Sequence, residues 1–418
     1  MKEESFDVVV AGGGSAGLAA GVAAARTGAR TLLVERHGAL GGMATAALVH
    51  SVCGLYRLPL DKNAPPSLAN DGFAAEFGRR LVEAGGAQGP VRLGRVDVLL
   101  HRPAAFAQLA DRLVRETPGL TALLHTEIVG GGTDAVVLTC RGIPRWVQAP
   151  CWVDATGDGV LATLRGAPTE IEDSAHLQRP AFIFALGNVE PAALADDARL
   201  RFARRIVEAV RAGRLPESAL GTHFRASPQA GEAFVTVDLS GGPDFDPLDP
   251  ACLSSLETEG RFLAEGLVDL LRQDSGLARC YVAAWPSRAG VRESRRVLGR
   301  YRLETADVEA GAAFDDAVAF AAWPMELRET IRGPKLRFPT GEQPCGVPLR
   351  SLCAAEDPSL FLAGRCVSCS HEAQASLRVI GTCLATGEAA GLAAALKSRQ
   401  APHDADAVRT ARARTSAG

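Results

Sequence analysis

Apolar positions along this chain switch between a period of two and a period near 3.6, and the switches mark its elements. Phe6 to Ala11 is a short β-branched run of strand length; an Ala-rich stretch of helical length follows, then a second apolar run, Thr31 to Val34, ending at Glu35. Phe73, Phe77, Leu81 and Ala84 share one face of a predicted helix over 73–84, and a second amphipathic helix covers 103–116. A short strand is predicted at 120–124. Residues 55–71 are rich in Pro and Asn and form a loop by composition. After Gly157 the character changes. Residues 177–189, 234–239 and 279–285 have strand character, 199–213 and 256–273 carry helical stripes, and loops dense in Gly, Pro and Asp, such as 240–250, lie between. Residues 398–418 lack large apolar side chains and are expected to be disordered or a weak helix.

Between the first two apolar runs stand Gly12, Gly13, Gly14, Ser15, Ala16 and Gly17. Strand, Gly-rich turn, helix and second strand make one βαβ unit, with an acid about 20 residues beyond the turn. Gly12 permits the tight turn, Gly14 lets backbone approach a pyrophosphate, and Gly17 lets helix pack on strand. The helix N-terminus at Ser15 and Ala16 offers unpaired N–H groups, and Glu35 can accept hydrogen bonds from a ribose. The pattern therefore points to a dinucleotide containing ADP-ribose, and by itself leaves NAD and FAD open.

The residues beyond it decide between them. Arg36, Gly41, Gly42, Met43, Ala44 and Thr45 follow Glu35 as ERxxxxGGMAT; Val153 to Asp158 reads VDATGD and includes Ala155, Thr156 and Gly157. Arg292, Glu293, Ser294 and Arg295 form a third run, and LFLAGRCVSCSHEAQASLRVIG, near the C-terminus, contains Gly364, Arg365 and Arg378. Together these resemble the FAD-dependent oxidoreductase family of the glutathione-reductase superfold, over nearly the whole chain. The resemblance implies an α/β fold: a Rossmann-like FAD-binding domain, discontinuous over 1–164 and 341–397, with an inserted mixed α+β substrate domain at 165–340 and a tail at 398–418. It implies FAD held non-covalently by the residues just named, with the loop at 55–71 over or beside the flavin. It also implies that the helix after the Gly364 strand directs its positive end at the flavin pyrimidine. Where the family has an aromatic, this chain has Cys345 and Leu349 in PCGVPLRSL, and near Pro324 it has PMELR. Those positions are expected to line the substrate side.

Composition narrows the class further. With 47% hydrophobic and 22% charged residues in 418, the chain is an ordinary globular protein long enough for two or three domains. A formal net charge of -3 argues against nucleic acid, because no basic excess is present to displace counterions. The apolar stretch Val379 to Leu396 contains Glu388 and many small residues, which suits a buried helix better than a membrane span. Ten cysteines spread from Cys53 to Cys383 without a compact framework fit reduced thiols, and MKEESF leaves no room for a signal peptide, so the cytoplasm is the expected compartment. An oligomer is allowed but nothing in the sequence indicates one.

Three residues are candidates for catalysis. His371 and Glu372 follow the Gly364 strand, where the resemblance places the flavin ring; His371 would serve as general base, and the bland alternative is that the pair orders a loop or caps a helix. Arg292, in an arginine-rich run, could hold a substrate anion or an FAD phosphate, or could belong to an internal Arg–Glu brace. Cys366 and Cys369 form a lone CxxC with no second pair, which fits packing better than zinc or disulfide exchange, and no metal site is predicted. A single dinucleotide fingerprint favours an oxidase or dehydrogenase taking hydride from a small organic substrate. The alternatives are a flavin monooxygenase or reductase supplied by a partner, or a non-catalytic electron-transfer flavoprotein; a halogenase is disfavoured because its WxWxIP run is missing.

Overall fold

The computed structural model describes residues 3–61, 63–242, 244–330 and 333–416. At its centre is a parallel sheet of five strands in the order Leu360–Leu362, Cys151–Asp154, Val8–Ala11, Thr31–Val34, Leu120–Leu123. The three central strands are buried along their whole length, as a parallel sheet covered on both faces requires. Helix Ser15–Arg26 follows the first strand, and the long helix Ile380–Ser398 packs against it. Small residues make that approach close: a Cβ placed on Gly387 would stand 2.1 Å from the Ala16 carbonyl oxygen, and one on Gly391 2.2 Å from that of Ala20.

A second body rises from this layer. Strands His223–Ala226, Glu232–Asp238, Ala181–Gly187 and Tyr281–Ala284 form an antiparallel sheet in that order, and helices Asp196–Arg211 and Pro250–Leu271 cover one face. Alternation assigns the two faces. Phe182, Phe184, Leu186, Val235 and Val237 enter the core with the helices, whereas Ala181, Ile183, Ala185 and Phe234 turn toward Leu48 and Val49 of the first body. This second core spans only 177–289. Val297, Leu303, Val318, Met325 and Leu327 lie in the first core, because strand Ala317–Ala321 pairs with Cys345–Pro348. The physical division of the inserted segment therefore falls near residue 290 rather than at 340.

The tail takes the helical one of its two expected states, and one further sheet is present. The tail is ordered through Ser416: helix Ala405–Ser416 buries Ala405 and Val408, and is pinned by Arg409 Nη1 on the Ala317 carbonyl (2.7 Å) and by Arg412 Nε on Glu388 Oε2 (2.9 Å). Polar anchors rather than apolar mass hold it; Ala417 and Gly418 of that segment lie outside the described residues, as do Met1 and Lys2 of the amino terminus. A small sheet of Ser51–Val52, Val96–His101 and Ala87–Leu93 also went unpredicted, since AQGPVRL is polar and only half-buried. Among the described residues no single helix is long and apolar enough to cross a membrane.

Candidate active site

A cleft of about 340 Å³ runs along the carboxyl ends of the parallel strands, where ligands of open α/β sheets bind. Gly12, at φ +89°, turns the chain out of the first strand, and a Cβ there would collide with the Ala155 carbonyl oxygen at 2.6 Å. Gly14 caps helix Ser15–Arg26 with no side-chain partner, so the first N–H groups of the helix face the cleft beside Ser15 and Ala16. A Cβ on Gly14 would meet nothing closer than Gly42 Cα at 3.9 Å: the backbone there is open toward the cleft.

At one end lies Glu35, buried, with Oε2 accepting from Gly13 N (2.7 Å) and Oε1 from His37 N (2.8 Å). These bonds hold the carboxylate in place and leave lone pairs for a diol. Gly42, Met43, Thr156 and Gly157 line the middle, with Asp158. Asp154 Oδ1 accepts from the Thr156 N–H and hydroxyl at 2.9 and 2.7 Å, and its Oδ2 from Ala162 N at 2.8 Å, which shapes this ATGD turn. Arg365 donates to Asp158 and to the Val291 carbonyl, and Arg36 stands 3.8 Å from Asp158.

The donor set fits the pyrophosphate of a dinucleotide. Arg288 is half-buried, its guanidinium contact is the Met43 sulfur at 3.7 Å, and its Nε finds no partner among the described residues. Burial, then repulsion from Arg36 and Arg365, push its guanidinium down to about 10, so the site would gain from an anion. Three arginines around an uncapped helix terminus supply what two phosphates need, and Glu35 stands where a ribose would lie.

Fourteen of the eighteen residues predicted to hold the cofactor line the cleft, including Gly364, Arg365 and Arg378. Gly17, Gly41, Ala44 and Thr45 do not, and act from behind it. A Cβ on Gly17 would stand 1.7 Å from the Gly12 carbonyl oxygen; Gly41 N donates to Gly13 O (2.8 Å); Ala44 N donates to Gly41 O (3.2 Å); the Thr45 hydroxyl donates to Leu40 O (2.9 Å). The described residues of the 55–71 loop line no part of it, because Asn70 is held away by paired bonds with the Phe320 backbone at 2.7 and 2.8 Å.

The three catalytic candidates also stand outside. His371 opens the short helix His371–Leu377, its Nδ1 2.8 Å from Glu293 Oε2 and its Nε2 3.3 Å from Glu329 Oε1. Burial alone would lower its pKa, but the bond to Glu293 prevails and raises it. Both ring nitrogens are taken up by carboxylates outside the cleft, which is the loop-ordering alternative rather than a base turned toward a substrate. Glu372 pairs with Arg337 at 3.3 Å toward solvent, and Arg292 is committed to Asp238 (2.8 Å) and the Arg179 carbonyl. Beside it Arg296 and Glu293 form a buried pair at 2.5 Å, the internal brace. Cys366 and Cys369 are buried and free, their thiols driven up by burial, so they are packing groups.

Val379 is extended and breaks the chain by 93° between that short helix and Ile380–Ser398, so it is the second helix whose start meets the cleft, through Arg378, Ile380 and Cys383. Arg378 continues past it: its Nη2 donates to Gln178 Oε1 (2.8 Å) and to the Glu326 carbonyl (3.1 Å) in the face shared with the second body. There Glu326 accepts from Trp323 Nε1 (3.0 Å) and Arg328 (2.7 Å); burial opposes its charge, but Arg328 and Arg378 hold it down to about 2. Glu326 and Arg328 belong to PMELR, whereas Cys345 and Leu349 pack in the core.

Sequence reading missed His50 on this face. Its ring stacks on Phe234 at 4.3 Å and 7°, and Nδ1 lies 3.2 Å from the Leu48 carbonyl, which can only accept. Burial, then Arg225, keep it well below the usual histidine range, so the ring is neutral and Nε2 carries a lone pair. No spacing signal marks it; only the pairing of sheet and loop brings His50 to Phe234.

A family model described as FAD dependent oxidoreductase matches residues 7–414. Solved structures of similar fold include AlpK, at 12% identity over 99% of this chain and 67% of that one, with a TM-score of 0.50. Others are p-nitrophenol 4-monooxygenase from Pseudomonas putida DLL-E4 (11% identity, 100% and 88% covered, TM-score 0.47) and a geranylgeranyl bacteriochlorophyll reductase-like protein from Thermoplasma acidophilum (13%, 99% and 83%, 0.45). At such identities the likeness is one of fold. The family match runs through the cleft, its glycine turn and its arginines alike: the chain belongs to the FAD dependent oxidoreductase family and is an FAD-dependent enzyme.

Proposed function

We propose that this enzyme is an oxidase or dehydrogenase that removes a hydride from a small organic substrate, with His50 taking the accompanying proton. FAD, when bound, supplies a two-electron acceptor. The observation that carries the reading is the neutral His50 ring, set between Phe234 and the Leu48 carbonyl where the second sheet packs on the first body. When a carbon bound to oxygen or nitrogen gives up hydride, that heteroatom's proton must leave. A base whose conjugate acid titrates low is ready to accept it at neutral pH, and the stack on Phe234 fixes the direction of its lone pair. Arg378 braces the same face to the start of helix Ile380–Ser398 and helps to shut water out of it.

The test is His50→Gln, which keeps a flat side chain but lacks a basic nitrogen. FAD content should be unchanged, flavin reduction by substrate should slow by roughly 10²- to 10⁴-fold, and the acidic limb of the rate profile should vanish. Reduction at the wild-type rate contradicts the role.

A further inference from the structure

Strand His223–Ala226 presents Arg225 on the same sheet face as Phe234, its cross-strand partner, one row from His223 and Thr236. The guanidinium is half-buried, and among the described residues it has no hydrogen bond or ion pair. The carboxylates around it are already used. Asp238 accepts from Arg292 (2.8 Å) and Arg328 (2.6 Å), and Glu326 from Arg328 and Trp323. Four guanidinium groups, Arg225, Arg292, Arg328 and Arg378, thus share two carboxylates, and the histidines do not add charge. His223 is held down to about 4 by burial and by Arg328, and Cys53 is a neutral thiol at about 12 by burial. Positive charge left over in a partly desolvated face costs free energy unless an anion enters.

We infer that Arg225 is the anchor for an organic carboxylate, the substrate class of the enzyme. A guanidinium fork matches a planar carboxylate with two parallel bonds. Arg225 itself is free to turn to a ligand, whereas Arg292 and Arg328 are locked by Asp238. This assignment rests on the proposed function only in calling the ligand a substrate; the site can be read without turnover.

Benzoate, acetate and inorganic phosphate are titrated by calorimetry into the purified protein and into Arg225→Met and Arg225→Lys, with FAD content recorded for each. The expected result is benzoate binding that is weakened about 30-fold or more in Arg225→Met and partly restored in Arg225→Lys, with FAD content equal in all three. Benzoate binding of equal strength in Arg225→Met, or no carboxylate binding at all, overturns the assignment; so does phosphate binding at Arg225 in place of the carboxylates. If benzoate binds through Arg225 and yet no organic acid reduces the flavin, the anion site stands and the hydride reading falls.

Discussion

His371 Nδ1 lies 2.9 and 2.8 Å from the two carboxylate oxygens of Glu293, which is fully buried and also holds Arg296. The pair ties the helix His371–Leu377 to the RESR run. Because the folded pKa of His371 is raised above its ordinary 6.5, its stabilising contribution is complete below that pH and is lost as pH rises through the folded value. The melting temperature of His371→Gln should therefore trail the wild type most in mild acid and approach it in mild alkali. FAD content and the rate of flavin reduction should hardly change; a 10²-fold loss of rate with FAD still bound would restore the role of base.

Gly14→Glu separates cofactor binding from folding. Its Cβ would enter open space, and a carboxylate at a helix N-terminus is favourable by about 0.3–1 kcal/mol, so the apoprotein should melt no lower than wild type. The same carboxylate would fill and repel the pyrophosphate position. Colourless, folded protein is expected from absorbance and circular dichroism; a full complement of FAD would sink the placement.

Arg412→Ala tests the terminal helix. Glu388 is buried, accepts from Phe73 N at 2.9 Å, and has its charge matched by Arg412. Removing the guanidinium leaves a buried carboxylate without that partner, at a cost of about 3 kcal/mol in chemical denaturation, and adding Glu388→Gln should recover much of it. An unchanged denaturation midpoint in Arg412→Ala would show that the tail contributes nothing.

What the sequence revealed follows from where its signals are local. The βαβ unit, the GGMAT and ATGD turns and the Gly364 strand each encode backbone geometry within a few residues, and the structure gathers them round one cleft. Helices such as Pro103–Glu116 were legible for the same reason. The base was not. His50 and Phe234 are brought together by a sheet folding over a loop, and no periodicity carries a contact of that separation. His371 stands outside the cleft with its ring nitrogens against two carboxylates, Glu293 and Glu329, and no local signal at positions 371 and 372 carries contacts with such distant residues. The anchoring of the tail helix escaped because arginine bonds to carbonyls leave no hydrophobic trace.

The most direct test of the central claim, that electrons enter from an organic substrate bound on the Phe234 face, is anaerobic mixing of the FAD-loaded enzyme with candidate reductants in a stopped-flow spectrometer. Small hydroxy and amino acids are compared with NADH and NADPH. Rapid, saturable bleaching of the flavin by an organic acid, abolished in Arg225→Met and slowed in His50→Gln, with slow bleaching by either nicotinamide, is the predicted result. Rapid saturable bleaching by NADH or NADPH, with none from any organic acid, would contradict it.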